Sequence, residues 1–387
     1  MAVECRLGQK SVALGIILIA VLSVSIIATI EWLGNVHSDT EFFVGVEFAY
    51  SDNVGDLKDL VDKVKNYTNL FVVGALEISF NQTALNEACD YVVDSGLHLI
   101  VFFTDSTTYN YTIFNWMVEA KQKYGDKFLG VYRYDEPGGN QMDQSSSRLV
   151  KNATSYADAV ANYTKGLGII IEYYLNYAPK MFTADYGLYW FDYKAGYSAV
   201  FAEFGWNHSR PLHIALCRGA AKAYNKDWGA IVTWEYTNEP YIESGEELYD
   251  DMILAYKTGA KYVVVFDYPK IGQYGILNEN EGHFGALKDF WNYVHSNPQE
   301  HGVIQGEAAY VLPQDYGFGF RNAEDKIWGL WNDDLSPKVW ADANTLINQY
   351  GSRLDIVYSD PEIMDAVRSR YDRLFFWNGT ISQETGF

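Results

Sequence analysis

Short apolar runs alternate with longer amphipathic segments along most of this chain, from residue 42 to residue 295. Eight of these runs have the length and the β-branched or aromatic content of strands, and most are apolar throughout rather than at every second position. Continuous apolar runs are typical of parallel strands that are covered on both faces. The predicted strands are Phe42–Glu47, Leu70–Leu76, Leu97–Phe103, Phe128–Tyr132, Lys180–Ala184, Ser198–Ala202, Ala230–Trp234 and Lys261–Phe266.

The segments between these runs have helical periodicity, so the chain repeats a strand–helix unit that is typical of a parallel sheet. Eight such units over roughly 255 residues match the size of a closed eight-stranded barrel surrounded by helices. We therefore predict an α/β fold, a (β/α)8 TIM barrel.

Shorter elements begin at about Gly302 and predict a small C-terminal α/β appendage of flavodoxin-like type. Its predicted strands are Glu307–Leu312, Ile327–Trp331, Leu354–Tyr358 and Leu374–Trp377, and its predicted helices are Ser336–Tyr350 and Pro361–Arg370. No glycine-rich nucleotide-binding loop occurs in this part of the sequence, so we predict an accessory domain.

One uncharged apolar segment, Ser11–Ile30, follows Arg6 and Lys10 and is long enough for a helix to cross a bilayer. A cleaved signal peptide has a shorter apolar region and a small-residue cleavage site, so we predict an uncleaved transmembrane anchor. The basic flank is expected in the cytoplasm and the bulk of the chain outside it. The predicted organisation is a stub and anchor over residues 1–35, a catalytic barrel over residues 36–301 and the accessory domain over residues 302–387.

Seven Asn-x-Ser/Thr triplets agree with an extracytoplasmic location, where such triplets accept N-linked glycans. They begin at Asn66, Asn81, Asn110, Asn152, Asn162, Asn207 and Asn378.

The charge balance excludes one class of partner. Fifty acidic residues against 29 basic ones give a formal net charge of −21, and this charge repels the phosphates of nucleic acids. The 31 Tyr and 11 Trp residues suit stacking against sugars, although a large aromatic core would explain them equally. The sequence contains no CxxC, HExxH or EF-hand motif, so no cofactor or metal is expected. The oligomeric state stays open.

Acidic residues follow the predicted strands, at the end of a parallel barrel where catalytic groups lie. They are Glu47, Glu77, Asp105, Asp135 with Glu136, Asp185, Glu203, Glu235 and Asp267. Some of them would simply cap the next helix or face solvent. Several carboxyl groups in one mouth, however, raise each other's pKa and supply the acid and the carboxylate that hydrolysis of a glycosidic bond requires.

The segment Tyr134-Asp135-Glu136-Pro137 resembles the Asn-Glu-Pro motif of the TIM-barrel glycoside hydrolases that carry their acid/base after strand four and their nucleophile after strand seven. Trp234-Glu235-Tyr236 is similarly placed after strand seven. The resemblance implies that Glu136 is the general acid/base and Glu235 the nucleophile or base. Asp135 stands where that superfamily has Asn, which leaves the retaining or inverting course open.

A second Asn-Glu-Pro triplet, Asn238-Glu239-Pro240, is predicted to lie in the loop after strand seven, with Glu239 as the second choice for a catalytic carboxyl. Glu203 and Asp267 are the other candidates for a catalytic role.

The predicted partner is a carbohydrate substrate. Trp190 and Trp206 are expected in loops, where large rings often bind ligands, whereas Tyr132 is expected in the core. The predicted substrate-binding residues are Glu47, Asp105, Tyr134, Asp135, Asp185, Trp190, Glu203, Trp206, Trp234, Tyr236, Asp267 and Tyr268. Two alternatives remain from the sequence: a catalytically silent protein that binds glycan or joins the cell envelope, and a divalent-cation site formed by the carboxylates.

Overall fold

The computed structural model describes residues 41–105, 107–234, 243–267, 277 and 282–383. Residues Phe43–Phe387 belong to one compact unit. The predicted membrane span, Ser11–Ile30, lies outside the described residues. No helix within the described ranges combines the length and the apolar character needed to cross a membrane.

Eight parallel strands form a closed barrel in the order in which they occur along the chain, which confirms the predicted barrel. The strands are β1 (Phe43–Phe48), β2 (Leu70–Val73), β3 (His98–Phe103), β4 (Phe128–Arg133), β5 (Met181–Asp185), β6 (Ala199–Phe204), β7 (Asp227–Val232) and β8 (Tyr262–Asp267). Strand β8 pairs with β1 from Phe43 opposite Tyr262 to Phe48 opposite Asp267, and this pairing closes the barrel.

Helices connect the strands on the outside of the barrel. They are α1 (Val54–Val64), α2 (Leu76–Ser79), α3 (Gln82–Asp94), α4 (Ile113–Tyr124), α5 (Pro137–Met142), α6 (Tyr156–Leu175), α7 (Tyr189–Ala195), α8 (Arg210–Ala223), α9 (Gly245–Lys257) and α10 (His283–Ser296). Side-chain caps come from Asn and Ser: Asn53, Asn81, Ser155 and Ser244 accept hydrogen bonds from the first turns of α1, α3, α6 and α9. Of the acids at the strand ends, Asp185 accepts hydrogen bonds from the first turn of α5, so capping explains part of the set.

Two predicted strands differ from the observed ones by three residues at one end. Strand β7 begins at Asp227 and ends at Val232, so Trp234 lies two residues beyond the strand rather than at its end. Strand β2 ends at Val73, and Glu77 is exposed on the short helix α2. Glu77 therefore does not join the acids at the barrel mouth.

The barrel interior is filled by aromatic and aliphatic side chains. Phe43, Tyr132, Phe182, Phe201 and Tyr262 belong to this buried cluster, and Phe182 and Phe201 are stacked with their ring centroids 5.8 Å apart. A Cβ atom on Gly229 would lie 2.5 Å from the Phe201 ring, so the large ring requires a glycine opposite it. Tyr132 is a core residue, as predicted.

A second, four-stranded sheet follows the barrel, with strand order β10-β9-β11-β12. Its strands are β9 (Ala308–Leu312), β10 (Leu354–Tyr358), β11 (Arg373–Phe376) and β12 (Ile381–Gln383), and its helices are α11 (Ser336–Tyr350) and α12 (Met364–Arg368). The predicted strand Ile327–Trp331 is wrong, because these two residues form only an isolated bridge. The 302–387 domain boundary stays a prediction.

Strand β10 packs against helix α8 of the barrel. A Cβ atom on Gly219 would lie 2.4 Å from the carbonyl oxygen of Ile356, so this contact requires a glycine in α8. Beside it, the buried Arg218 guanidinium donates from Nε to Asp355 Oδ1 at 2.7 Å, and Asp355 also accepts from Lys222 Nζ at 3.0 Å and from the Tyr371 hydroxyl at 2.8 Å. The two cations keep the pKa of Asp355 below its usual value despite complete burial.

We predict that Asp355→Ala lowers the free energy of unfolding by about 3–5 kcal/mol, because it leaves the buried Arg218 guanidinium without its counter-charge. Denaturant-induced unfolding followed by circular dichroism measures the change. Asp365→Ala is the matched control, since Asp365 is 99% exposed in its pair with Arg368 and should leave the midpoint unchanged. Equal midpoints for the wild type and Asp355→Ala would contradict the role of this ion pair.

Candidate active site

A half-open pocket of about 380 Å³, part of it open to solvent, lies at the carboxyl ends of the barrel strands. Four carboxyl groups line it together with aromatic and small side chains. The lining residues are Glu47, Tyr132, Asp135, Glu136, Ala184, Glu203, Trp206, Ile231, Thr233, Trp234 and Phe266. The structure therefore brings together acids from three strand ends, β1, β4 and β6.

Glu136 has a left-handed backbone conformation, with φ of 50° and ψ of 53°, directly before helix α5. This region is uncommon for residues other than Gly, Asn and Asp and costs energy. The backbone N–H of Glu136 donates to the Ala184 carbonyl on β5 at 3.1 Å, which helps to hold the turn. The backbone is thus constrained where it presents the Glu136 side chain to the pocket.

Asp185, at the end of β5, fixes the segment that follows Glu136. Its carboxylate accepts hydrogen bonds from the backbone N–H groups of Gly138 at 2.5 Å and Gly139 at 2.8 Å, and it also accepts from Gly187 at 3.0 Å. A Cβ atom on Gly138 would lie 2.4 Å from the Gly187 carbonyl oxygen, so this close approach requires glycine.

The Asp185 carboxyl is fully buried and does not line the pocket. Burial raises its pKa to about 7, although the backbone N–H donors act in the opposite direction. Asp192 on α7 is hydrogen-bonded to it and accepts from the Tyr163 hydroxyl at 2.7 Å. Asp185 was predicted to bind substrate, but the structure places it beneath the pocket as a positioning residue for the Glu136 turn.

The Glu136 and Glu203 carboxyl groups are in hydrogen-bond contact inside the pocket. Two carboxylates cannot both be ionised at this separation without strong repulsion, so the pair retains a proton. Burial, followed by the charges of Asp135 and Asp185, raises the pKa of Glu136 to about 8. Burial and the Glu136 charge raise the pKa of Glu203, which is 3% exposed, well above its usual value. The shared proton therefore belongs to the Glu136–Glu203 pair as a whole.

Asp135 is the pocket carboxyl whose charged form a hydroxyl group stabilises. The Tyr132 hydroxyl donates to Asp135 Oδ1 and accepts from the Ala184 backbone N–H at 3.1 Å, so both hydrogen-bonding functions of Tyr132 are used. Asp135 is exposed at the pocket. Desolvation by the surrounding protein raises its pKa, while the Tyr132 hydrogen bond opposes the rise.

Glu47, on β1, is 6% exposed, and no hydrogen bond to its carboxyl group occurs among the described residues. Burial and then the Asp135 charge raise its pKa from 4.5 to about 8. The carboxyl lies against Gly74 after β2, where a Cβ atom would be 2.2 Å from Glu47 Oε1. Glu47 is therefore a buried acid that opens only to the pocket.

Aromatic rings form the other walls. Trp206 has a φ of 46°, and its backbone N–H donates to the Trp234 carbonyl at 2.7 Å, so the segments after β6 and β7 are tied together. The Trp234 ring contacts Phe266 edge to face, with centroids 5.4 Å apart. Thr233, which sequence reasoning missed, is 9% exposed, and its buried hydroxyl has no hydrogen-bond partner among the described residues. The sequence feature that could have identified Thr233 is its position as a polar residue directly after β7.

Besides Asp185, four of the predicted substrate-binding residues lie away from the pocket lining. Asp105 is exposed and pairs with Arg133 at 2.5 Å, and the Tyr134 hydroxyl donates to the Ser147 carbonyl at 2.7 Å. Trp190 was expected in an exposed loop, which is wrong: it is 3% exposed in α7 and packs against Tyr224 and Tyr358. Asp267 is buried at the end of β8.

Glu235, Tyr236, Glu239 and Tyr268 lie outside the described residues, so their predicted roles stay predictions. The separation of Glu136 and Glu235 belongs to the same untested part. Within the described ranges, no group of three or more His, Cys, Asp or Glu side chains is arranged to hold a metal ion.

Structural neighbours of the chain include glycoside hydrolases of the TIM-barrel type, the superfamily that the strand-four motif resembles. Alpha-L-fucosidase isoenzyme 2 from Paenibacillus thiaminolyticus matches with a TM-score of 0.51 and 12% identity, over 86% of this chain and 59% of the fucosidase. The chain thus spans less than two thirds of that enzyme. At this identity the likeness shows the fold alone.

Two further neighbours match less closely. A family 1 β-glucosidase from Thermotoga maritima has a TM-score of 0.40 and 10% identity over 66% of this chain and 98% of its own. The spore coat polysaccharide biosynthesis protein spsE from Bacillus subtilis has the same score and identity over 68% and 70%. Neither likeness bears on function. No protein-family model matches the sequence, and no curated protein does.

The raised pKa of Glu47 predicts a pH-dependent stability. Because the folded state holds the proton up to about pH 8 and the unfolded state releases it near 4.5, Glu47 costs no stability below pH 4.5 and lowers it progressively up to about pH 8. Glu47→Gln should remove up to about 1.4 kcal/mol of this loss per pH unit. Urea unfolding of both proteins between pH 5 and about pH 8 measures it. Parallel stability curves would show that Glu47 titrates normally.

Proposed function

We propose that the protein is a glycoside hydrolase whose reaction takes place in the carboxyl-lined pocket. The observation that supports this most directly is the contact between Glu136 and Glu203, which keeps a proton beside Asp135 in a site walled by aromatic rings. Hydrolysis of a glycosidic bond needs a protonated carboxyl group and an ionised one, held in different environments.

The Glu136–Glu203 pair is proposed as the general acid. Its proton passes to the glycosidic oxygen as the bond from that oxygen to the anomeric carbon breaks, and the leaving sugar departs as an alcohol. Desolvation keeps the proton on the pair at neutral pH, where an exposed carboxyl group would have lost it. After the step, the pair carries one more negative charge and takes a proton back from water.

Asp135 is proposed as the carboxylate that meets the developing positive charge on the anomeric carbon. The Tyr132 hydroxyl stabilises its ionised form and fixes its direction. One carboxylate oxygen either bonds to the anomeric carbon, or accepts a proton from a water molecule that does so, and the sum of either route is addition of one water across the bond. Glu235 stays the predicted alternative for this role.

The rings of Trp206, Trp234 and Phe266 are proposed to hold the sugar, because apolar sugar faces pack on aromatic rings while the hydroxyl groups bond to the carboxyls. Thr233 also lines this pocket.

A catalytically silent glycan-binding protein is the second candidate. It is favoured by the direct contact of Glu136 and Glu203, since acid and nucleophile of retaining enzymes stand about 5–5.5 Å apart to admit the reacting bond. The same rings and carboxyls would then bind a glycan without cleaving it. Retained glycan binding with no hydrolysis across a glycan library would favour this candidate.

Changing Glu203, Glu136 or Asp135 tests the hydrolase. Glu203→Gln, Glu136→Gln and Asp135→Asn should each reduce kcat by about 10²–10⁴-fold on any glycan that the wild type cleaves, because each removes the proton source or the carboxylate. Reducing-end release from a glycan library measures this. Glu119→Gln, an exposed change on α4, is the control and should keep wild-type rates. Wild-type rates in all three pocket variants would refute the assignment.

We further propose that the protein is tethered by residues 11–30 and faces the outside of the cell. All seven glycosylation triplets have an exposed Asn, which supports access to the glycosylating machinery. The full chain should stay with membranes after an alkaline carbonate wash and be digested by protease added to intact cells. Recovery of the full chain in the soluble fraction would contradict the proposed anchor.

A further inference from the structure

The pocket holds more acid than hydrolysis requires. Two carboxyl groups suffice to cleave a glycosidic bond, and the Glu136–Glu203 pair with Asp135 already supplies an acid and a carboxylate. Glu47 is left over. It enters from β1, and the proposed reaction gives it no proton to carry and no atom to attack.

Glu47 is also a polar group that the protein itself does not satisfy. A buried carboxyl group without a hydrogen-bond donor lowers the stability of the fold. Such a group is retained when a bound ligand supplies the missing donor. Glu47 is more than nine-tenths buried, accepts no hydrogen bond within the described part of the chain, and lines the pocket. The buried hydroxyl of Thr233, directly after β7, likewise has no hydrogen-bond partner among the described residues. A polar ligand in the pocket would supply the hydrogen bond that Glu47 lacks.

The charge of the lining indicates which polar ligand fits. Among the described residues that line the pocket, four are acidic and none is Lys, Arg or His. The Asp135 carboxyl and the Tyr132 hydroxyl interact with Glu47, and the Glu136 and Glu203 carboxyls line the same pocket. A ligand with a carboxylate, sulfate or phosphate would therefore be repelled. A positive charge would be attracted, and the rings of Trp206, Trp234 and Phe266 favour an organic cation through their π faces.

We propose that Glu47 binds an ammonium group on the substrate, and that the glycan therefore contains hexosamine units with a free amine rather than an N-acetyl group. This inference rests on the proposed function, because the proposed function is the reason for taking the ligand to be a sugar. The ammonium forms an ion pair with the Glu47 carboxylate and places the sugar ring between the aromatic walls, while the Glu136–Glu203 pair meets the glycosidic oxygen.

Formation of this ion pair should release a proton, whereas binding of a neutral sugar should not. Glu47 holds a proton in the empty pocket at pH 7, and pairing with an ammonium group favours its ionised form. The Glu47 carboxyl thus loses its proton to the buffer as the ammonium binds, and up to one proton is released per ligand. Binding heat should therefore depend on the ionisation enthalpy of the buffer.

The test uses matched tetrasaccharides that differ only at carbon 2, which carries a free amine, an N-acetyl group or a hydroxyl group, in gluco and galacto configuration and in both anomeric linkages. Titration calorimetry of the full chain in detergent at pH 7, in two buffers of different ionisation enthalpy, should show at least about tenfold tighter binding of an amine-bearing member, with proton release. Chelator is present throughout.

Glu47→Gln keeps the shape of the side chain and removes its charge, so the preference for the amine should fall to about onefold and the proton release should disappear. Unfolding curves show that this variant is folded, and Glu119→Gln should behave as the wild type. Equal binding of the three ligand types, a preference that survives Glu47→Gln, or no binding of any amine-bearing member would each overturn the proposal.

Hydrolysis measured in parallel separates this inference from the proposed function. Cleavage of neutral or N-acetylated members without an amine preference would support the hydrolase and overturn the ammonium site. A Glu47-dependent amine preference without cleavage of any member would support the ammonium site and count against the hydrolase.

Discussion

The proposed chemistry of this protein depends on the burial of several carboxyl groups at one end of a closed barrel. Removing a carboxylate from water is costly, and placing carboxylates beside each other adds repulsion. Glu47, Glu136 and Glu203 respond by holding protons far above the usual pKa of Glu, whereas Asp135 receives a hydrogen bond from the Tyr132 hydroxyl. The pocket thus places carboxyls with strongly raised pKa values beside one whose ionised form a hydroxyl group stabilises, which is the arrangement that acid–base chemistry at neutral pH requires.

The surrounding backbone makes this crowding possible. Left-handed conformations occur at Tyr134, Glu136 and Trp206, close to the carboxyl ends of β4 and β6. Each costs on the order of 1–3 kcal/mol and persists because neighbouring groups hold it. Beneath the pocket, the buried Asp185 carboxyl accepts hydrogen bonds from the N–H groups of Gly138, Gly139 and Gly187, and these bonds hold the turn that carries Glu136.

The barrel could be predicted from the sequence because buried parallel strands give continuous apolar runs, and all eight runs are strands in the structure. The chemistry at the strand ends was harder to predict from the sequence. Strand alternation does not tell how far each acid lies from the barrel axis, so Asp185, which supports the backbone, and Glu203, which enters the pocket, looked alike. The contact of Glu136 with Glu203 depends on the stagger of β4 and β6, which a one-dimensional pattern does not contain.

The sequence-based predictions that were wrong at single residues also have physical causes. Trp190 was expected to be exposed because it follows a strand end, but α7 begins at Tyr189 and turns the ring towards Tyr224 and Tyr358. Glu77 was counted with the strand ends, but β2 is only four residues long and the chain enters a helical turn before it. Thr233 and Glu47 stand out only when their missing hydrogen-bond partners are seen in three dimensions.

The protonation of the pocket carboxyls in the folded protein at pH 7 can be measured by infrared difference spectroscopy of the protonated carboxyl band, comparing the wild type with Glu203→Gln. The account predicts a band in the wild type that persists at pH 7 and loses the Glu203 contribution in the variant. A wild-type spectrum in which every carboxyl group is ionised at pH 7 would contradict it.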